Sequence, residues 1–354
     1  MPRFSLDFKV VLPVGFLLVL GLLLLKSISP QLWSDQVIFS IVAVFIFILF
    51  SQIDYRILFS LYFPLFILSM LFLISPLFFG LYSRGSQRWL FLGPFSLQPS
   101  ELVKPVLMLF FAVVAASEWD NKLRWLLLLG IIPLIAIFIQ PDLGTTLIVG
   151  VGWLTIFSSQ VSFKKLVSVY GVMIIMALPI YHFALRDYQR QRITSFINPN
   201  ADPLGQGYHV IQSTIAVGSG QLSGRGLGQG TQSQLRFLPE HHTDFIFASL
   251  SEELGFVGSM VVVLLFLLLL RRIYEISQSV SDPAASAFCL GIMALLTFQI
   301  FVNIGMNLGI APITGITLPF ISYGGSSLVS MAFTLGIINS ISTRQHQPLS
   351  IQIH

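Results

Sequence analysis

Charge is what this sequence has least of. Only 10% of its 354 residues are Asp, Glu, Lys or Arg, against about 25% in soluble domains. Hydrophobic residues make up 55% and the mean hydropathy is +0.85. A folded core of this length cannot bury so much apolar surface, so lipid must be part of the solvent. Cysteine is almost absent: Cys289 stands alone in an apolar run, which excludes an intrachain disulfide. No small-residue cleavage site follows the first apolar run, Val10 to Leu25, although Arg3 and Lys9 precede it. It is therefore read as a retained span rather than a removed signal. Neither HExxH nor a P-loop or dinucleotide fingerprint occurs, so no closed metal site is expected. With a net charge of only +4, no nucleic-acid partner is expected either.

What the chain does have is apolar runs near the length that crosses a bilayer, about 20 residues. Ten candidates stand at 10–29, 34–51, 57–80, 98–116, 125–140, 143–159, 166–185, 245–270, 285–305 and 325–342. The fifth and sixth meet at Gln140-Pro141-Asp142-Leu143-Gly144, a turn or a break within the membrane. The expected fold is thus an all-α polytopic membrane protein. It is a single domain over 1–354, with one large loop, 186–244, between the seventh and eighth helices. Ten spans put both termini on one side. Arg3, Lys9, Arg56, Lys122, Arg124, Lys164, Lys165, Arg271, Arg272 and Arg344 would all share that side, against Lys26, Arg84 and Arg88 in the short segments opposite. The positive-inside rule then makes both termini cytoplasmic and the long loop external.

Three external segments break the pattern of spans. Leu81 to Ser100 holds Arg84, Arg88, Trp89 and a Gly-Pro turn. Within the long loop, 208–217 has apolar residues at helical spacing and reads as an amphipathic helix on the membrane surface. The stretch 218–230 is rich in glycine around Arg225, and reads as a hinge or as backbone that can approach an anion. The third, MNLGIAPITGITLPFISYGG at 306–325, contains two prolines and cannot be a regular span. Irregular backbone at that depth has to be buried in protein or line a wet cavity.

The long loop closes on FLPEHHTDFIF, 237–247, where Glu240, His241, His242 and Asp244 fall within five positions. A carboxylate at a loop–membrane boundary reaches both a lipid head group and water. It can equally cap the helix that follows, and both readings stand at this point. Glu101 and Lys104, at i, i+3 in the fourth span, share a helix face and can pair. Asp142 is a third ionisable group at depth. Such residues mark either a function or an ion pair that fixes packing.

Several of these segments resemble the SEDS family (shape, elongation, division and sporulation). They are QRWLFLGPFSLQPSELVK at 87–104, QPDLGTT at 140–146, NPNADPLGQGYHVIQS at 198–213, GTQSQLRFLPEHHTDFIFASLSEELGFVG at 230–258 and ITGITLPFISYGGSSL at 313–328. NPNADPLGQGYH and GTQSQLRFLPEHHTDF resemble its RodA branch more than its FtsW branch. The resemblance implies ten membrane helices in the bacterial cytoplasmic membrane and peptidoglycan glycosyltransferase activity. The substrate would be lipid II. The partners would be a class B penicillin-binding protein and other elongation-complex membrane proteins. It also implies that Asp244 is the essential aspartate and that Glu101 and Lys104 are the family's buried pair. Pro105, directly after Lys104, departs from the pattern and is expected to disturb the fourth helix.

On this reading Asp244 is a general base. Arg88, Lys104, Arg192, Arg225 and Arg236 are candidates to hold the pyrophosphate, with Glu101, Glu240, His241 and Ser322 as further substrate contacts. No cofactor is required by the residues, although a weakly held Mg or Mn ion beside the pyrophosphate is compatible with them. The competing reading is a lipid II flippase, since intramembrane charges and broken helices also suit a transporter. A pure scaffold would leave Asp244 unexplained.

Overall fold

The computed structural model describes residues 5–83, 86–93, 95–199, 205–235, 237–238 and 240–344; Arg3, Arg84 and Arg236 lie outside them. The described chain is mostly helical, with one small sheet and irregular connections. The elements are α1 (Phe8–Ile28), α2 (Pro30–Gln52), α3 (Tyr55–Ser60), α4 (Tyr62–Ile74), α5 (Pro76–Phe79), β1 (Leu81–Ser83), β2 (Ser86–Leu92), β3 (Phe95–Leu97), α6 (Pro99–Ala116), α7 (Lys122–Ile139), α8 (Leu143–Ser158), α9 (Phe163–Pro179), α10 (Asp187–Ile197), α11 (Gln206–Ser219), α12 (Thr231–Gln234), α13 (Ile246–Ser279), α14 (Pro283–Asn307) and α15 (Gly325–Arg344). Among the described residues nine helices are long and apolar enough to cross a membrane, counting 62–79 as one. The shorter apolar α8 stands where the sixth of the ten expected spans was placed. The chain is a multi-pass membrane protein.

Helix starts follow from short polar side chains before apolar runs. Asp7, Asp54, Asp142 and Asp282 each accept a backbone N–H in the first turn of α1, α3, α8 and α14. The most buried spans are α6 and α15, which stand at the centre of the bundle, whereas α2 and α7 turn most of their surface outward. Helix α9 is different in kind: none of its residues is buried. A π-helical turn, Ile180–Ala184, continues it towards α10. At the end of the bundle that carries the termini, Asp7 accepts Arg272 Nη2 at 2.6 Å and Ser342 Oγ at 2.6 Å. Burial pushes the Asp7 carboxyl up, but the hydrogen bonds from Arg272 and Ser342 and the guanidinium charge outweigh it and hold the group below its ordinary value.

Pro105 does not break α6, which runs through it unbroken. The proline has no N–H to give to the carbonyl four residues back, and that carbonyl, on Glu101, accepts the Ser330 hydroxyl of α15 at 2.7 Å instead. A neighbouring helix thus supplies the missing donor.

Three further features differ from expectation. The segment after α5 forms a three-stranded antiparallel sheet in which Leu81 faces Trp89 and Leu90 faces Leu97; it carries Arg88. Helix α11 exists where an amphipathic helix was expected, but it packs on protein: Val210 and Ala216 join Phe245, Ala248, Met306 and Ile313 in a second apolar cluster beneath the loop. The eighth span is longer than 245–270 and broken. Gly255 has φ 68° and ψ −166°, a conformation essentially confined to glycine. Before it, most of 246–254 is buried; after it, Phe256, Val257, Met260 and Val261 turn outward.

A Cβ on Gly255 would meet the Gly224 amide nitrogen and the Leu222 carbonyl well inside contact distance. Gly255→Ala is therefore expected to destabilise by at least the about 1–3 kcal/mol of such backbone strain. Thermal unfolding in detergent checks this, with Gly15→Ala as the silent control, since nothing lies within 4 Å of a Cβ there.

Candidate active site

The turn that ends in Asp244 hangs from its neighbours by its own carbonyl groups. The His242 oxygen accepts the Tyr323 amide at 2.9 Å, and the Thr243 oxygen accepts the Ser322 hydroxyl at 2.7 Å. The Asp244 oxygen accepts two side-chain amides of α14, Asn303 Nδ2 at 3.0 Å and Asn307 Nδ2 at 3.1 Å. With three successive carbonyls fixed, the backbone from which the Asp244 side chain projects is fixed as well. Helix α13 begins with Phe245 at its N-cap, so Asp244 stands one residue before the cap position.

The same face of α14 holds the irregular segment opposite. Gln299, Asn303 and Asn307 recur every four residues and are fully buried. Gln299 Nε2 donates to the Thr317 oxygen at 3.0 Å and Asn303 Nδ2 to the Ile316 oxygen at 2.6 Å. From α2, Gln36 donates to the Ser322 oxygen at 3.3 Å and accepts the Gly324 amide at 3.2 Å. Backbone that is neither helix nor strand is thereby satisfied inside a membrane protein. Within this segment Gly315 has φ +74°. A Cβ on it would sit 3.5 Å from Asp244 Oδ2 and 3.7 Å from Arg192 Nη1. The bare glycine thus borders both the carboxylate and the guanidinium.

Arg192 comes from α10, with its guanidinium 5.7 Å from the Tyr188 ring centre. Burial pushes it down from its ordinary value; the Asp244 carboxylate is the largest charge opposing this, and Arg88 adds to the depression. An arginine so placed stays protonated. Arg88, on β2, pairs with Asp142 Oδ1 at 3.4 Å and keeps 28% of its side chain exposed. Asp142 is saturated: Gln98 Nε2 donates to it at 2.7 Å, Ser100 Oγ at 3.1 Å and the Thr145 amide at 3.2 Å. Arg88, Arg192, Asp142 and Asp244 form one charge cluster. His209 of α11 lies at its edge. Burial, then the Arg192 charge, lowers its pKa from 6.5, so its imidazole is neutral at pH 7.

Other candidates have different work. Lys104 Nζ bonds Glu101 Oε2 at 2.7 Å, with the lysine 1% exposed; this is a tight buried pair. Both nitrogens of the buried His241 ring are engaged, Nδ1 at 3.0 Å from the Leu238 oxygen and Nε2 at 3.1 Å from Ser29 Oγ. Ser322, which also accepts the Leu318 amide at 2.8 Å, braces the turn from behind. Glu240 accepts the Thr243 hydroxyl at 3.2 Å. Arg225 bonds the Ser219 oxygen and Thr231 Oγ1 within its own loop. The amides of the glycine-rich loop do meet anions, but the anions belong to the protein. Glu252 accepts the amides of Gln232 and Ser233 at 2.8 and 3.1 Å, and Glu253 accepts that of Gly228 at 3.1 Å. Among the described residues no three His, Cys, Asp or Glu side chains converge as a metal site.

Sequence reasoning missed Gln299, Asn303, Asn307, Glu252 and Glu253. The amides were detectable: three of them, four residues apart in an otherwise apolar span, mark a polar face. The two glutamates had the same visible signal, adjacent acids in the eighth apolar run.

A broken-helix membrane bundle with a carboxylate beside an arginine at the end of its long loop defines a class of protein, and comparison makes it specific. A sequence-family model described as "Cell cycle protein", covering FtsW, RodA and SpoVE, matches residues 8–347. The chain is 42% identical over 289 residues to "Peptidoglycan glycosyltransferase MrdB" of Escherichia coli K12, covering 79% of this chain and 77% of that one. It is 37% identical to "Stage V sporulation protein E" of Bacillus subtilis 168, covering 96% and 97%. Among solved structures, a chain described under "Structural coordination of polymerization and crosslinking by a peptidoglycan synthase complex" superposes with a TM-score of 0.83 at 31% identity, covering 97% and 99%. The rod shape determining protein RodA of Thermus thermophilus does so with a TM-score of 0.75 at 26% identity, covering 98% and 100%. The chain belongs to the SEDS family of FtsW, RodA and SpoVE proteins.

Two stability outcomes follow from the buried contacts. Asn307→Ala removes a donor to Asp244 and the acceptor of the Ala248 amide. It is expected to cost about 1–3 kcal/mol per group left unsatisfied and to make 237–245 protease-sensitive in otherwise folded protein. For Glu101 and Lys104, Glu101→Gln or Lys104→Met alone strands a buried charge, a change that costs about 3–5 kcal/mol in such pairs. The double variant should therefore melt above at least the worse single; additive losses would show that the two groups are not coupled.

Proposed function

We propose that this chain is a peptidoglycan glycosyltransferase that polymerises lipid II during cell elongation at the outer face of the bacterial cytoplasmic membrane. The observation that carries the reading is Asp244, a carboxylate that faces Arg192 at the end of a turn pinned at three successive carbonyls. Its relatives' names agree: MrdB is a peptidoglycan glycosyltransferase by description. The flippase alternative is not favoured. A transporter has to recognise a head group but has no need of a positioned base.

In the proposed reaction the 4-hydroxyl of an incoming lipid II attacks the anomeric carbon of the growing strand. Asp244 takes the hydroxyl proton. The new glycosidic bond forms as the bond to undecaprenyl pyrophosphate breaks, and the single in-line displacement inverts the anomeric centre. A positioned base of this kind contributes typically about 10²–10⁴-fold. The leaving pyrophosphate gathers negative charge, and Arg88 and Arg192 are the cations of the cluster that meet it. A Mg or Mn ion beside the pyrophosphate would add to the same charge. The excess of Lys and Arg in the segments that share the termini's side supports cytoplasmic termini and an external loop. The partner is a class B penicillin-binding protein, which supplies the cross-linking transpeptidase; similarity to a chain from a peptidoglycan synthase complex supports it.

Asp244→Asn keeps the size of the side chain but is far too weak a base. It is expected to leave membrane insertion and melting unchanged and to abolish strand synthesis from lipid II in detergent, assayed with a partner that has no glycosyltransferase of its own. Strand synthesis near the wild-type rate by a well-folded Asp244→Asn protein excludes the general-base role.

A further inference from the structure

The bundle carries a second concave feature, remote in sequence from the Asp244 cluster. A cavity of about 380 Å³ opens between α1 and α13 at the end of the bundle that holds the termini. Phe8, Leu12 and Leu268 form its apolar wall, and each is at least half exposed. Lys9, Arg271 and Arg272 stand on its rim together with one acid, Glu275.

The rim cations are not equivalent. Arg272 is engaged by Asp7 at 2.6 Å and by Glu275 at 3.2 Å. Arg271 reaches Glu275 at 3.0 Å but leaves 77% of its side chain exposed. Lys9 is exposed and makes no ion pair with any described residue. Three cations against one acid leave the lining with a net +2, and Asp7 behind it reduces that only to +1.

We infer that this groove binds one anionic glycerophospholipid, its phosphate held by Lys9 and Arg271 and an acyl chain lying along Phe8, Leu12 and Leu268. The arrangement reproduces the two halves of such a lipid: apolar wall on one side, unneutralised positive charge at its end. Basic pockets between membrane helices select anionic head groups on this electrostatic ground. The undescribed ends of the chain do not supply the anion from a side chain, because residues 1–4 and 345–354 contain no Asp or Glu. The inference does not depend on the reaction proposed above.

The test is native mass spectrometry of the full chain in detergent, titrated separately with phosphatidylglycerol and phosphatidylethanolamine. The wild type is expected to retain one phosphatidylglycerol and to bind phosphatidylethanolamine more weakly. Lys9→Gln with Arg271→Gln should weaken phosphatidylglycerol by about 30-fold, which is about 2 kcal/mol for two basic residues at a membrane surface. Leu12→Trp, which fills the wall but leaves the cations, should lower binding of the intact lipid while inorganic phosphate fails to compete in the wild type. If the double variant melts early, Lys9→Gln alone is read instead, because that side chain holds no structural bond. Equal retention of both lipids, unchanged phosphatidylglycerol affinity in the cation variants, or displacement by inorganic phosphate alone would each overturn the inference.

Discussion

Three buried amides on one face of α14 support the rest of the site. Gln299, Asn303 and Asn307 lie four residues apart, so a single helix presents a ladder of donors at a regular rise. Their targets are carbonyls that no regular structure satisfies: Thr317, Ile316 and Asp244. A free carbonyl in a membrane interior costs several kcal/mol. The ladder removes that cost and joins the Asp244 turn to the 308–324 segment as one piece. Ser322 and Tyr323 then complete the joint from the other direction. A reacting carboxylate has to be held to within a fraction of an ångström of its working position. Here the backbone around it is fixed by side chains that are themselves packed inside a span.

The electrostatics follow a similar division of labour. Most buried acids are neutralised by the protein itself. Asp142 is saturated by donors around Arg88, Glu101 holds Lys104, and Glu252 and Glu253 organise the glycine-rich loop. The Arg88–Arg192 cluster differs in that its arginine on β2 remains partly open. Positive charge in a concave region with low-dielectric walls concentrates anions. The acids satisfied within the fold and the partly open Arg88 thus stand apart, even though both read alike as intramembrane charge.

Much of this was legible in the sequence because lipid enforces a simple rule. Backbone in hydrocarbon must be helical, so apolar run length alone gave the spans, and even the short α8 was found at its Gln-Pro-Asp turn. What the rule cannot register is a break that keeps the composition apolar. Gly255 sits in such a run, and only its contact with Gly224 and Leu222 reveals the kink. The β1–β3 sheet escaped because β1 and β3 have only three residues each and β2, SQRWLFL, does not alternate apolar with polar residues. At the site, residue type marked Asp244, Arg88 and Arg192 as candidates, and the structure brings them into one charge cluster, but side-chain direction is not written in type. His241 and Ser322 look like substrate ligands in the sequence, and in space their polar atoms are turned onto Ser29, Leu238 and Thr243. Arg225 is likewise held by its own loop.

Helix α9 is joined to the bundle in an unusual way. None of its residues is buried, yet its π-helical extension leads directly into α10, and Arg190 of α10 reaches back to the His182 oxygen at 2.8 Å. Two residues further on stands Arg192. Among the described spans the one with least packing against protein is therefore also the one that leads, across Leu185 and Arg186 alone, into the helix that carries Arg192. Lipid covers α9 where protein covers the other spans, so the bilayer borders the candidate site by chain continuity as well as by surrounding it.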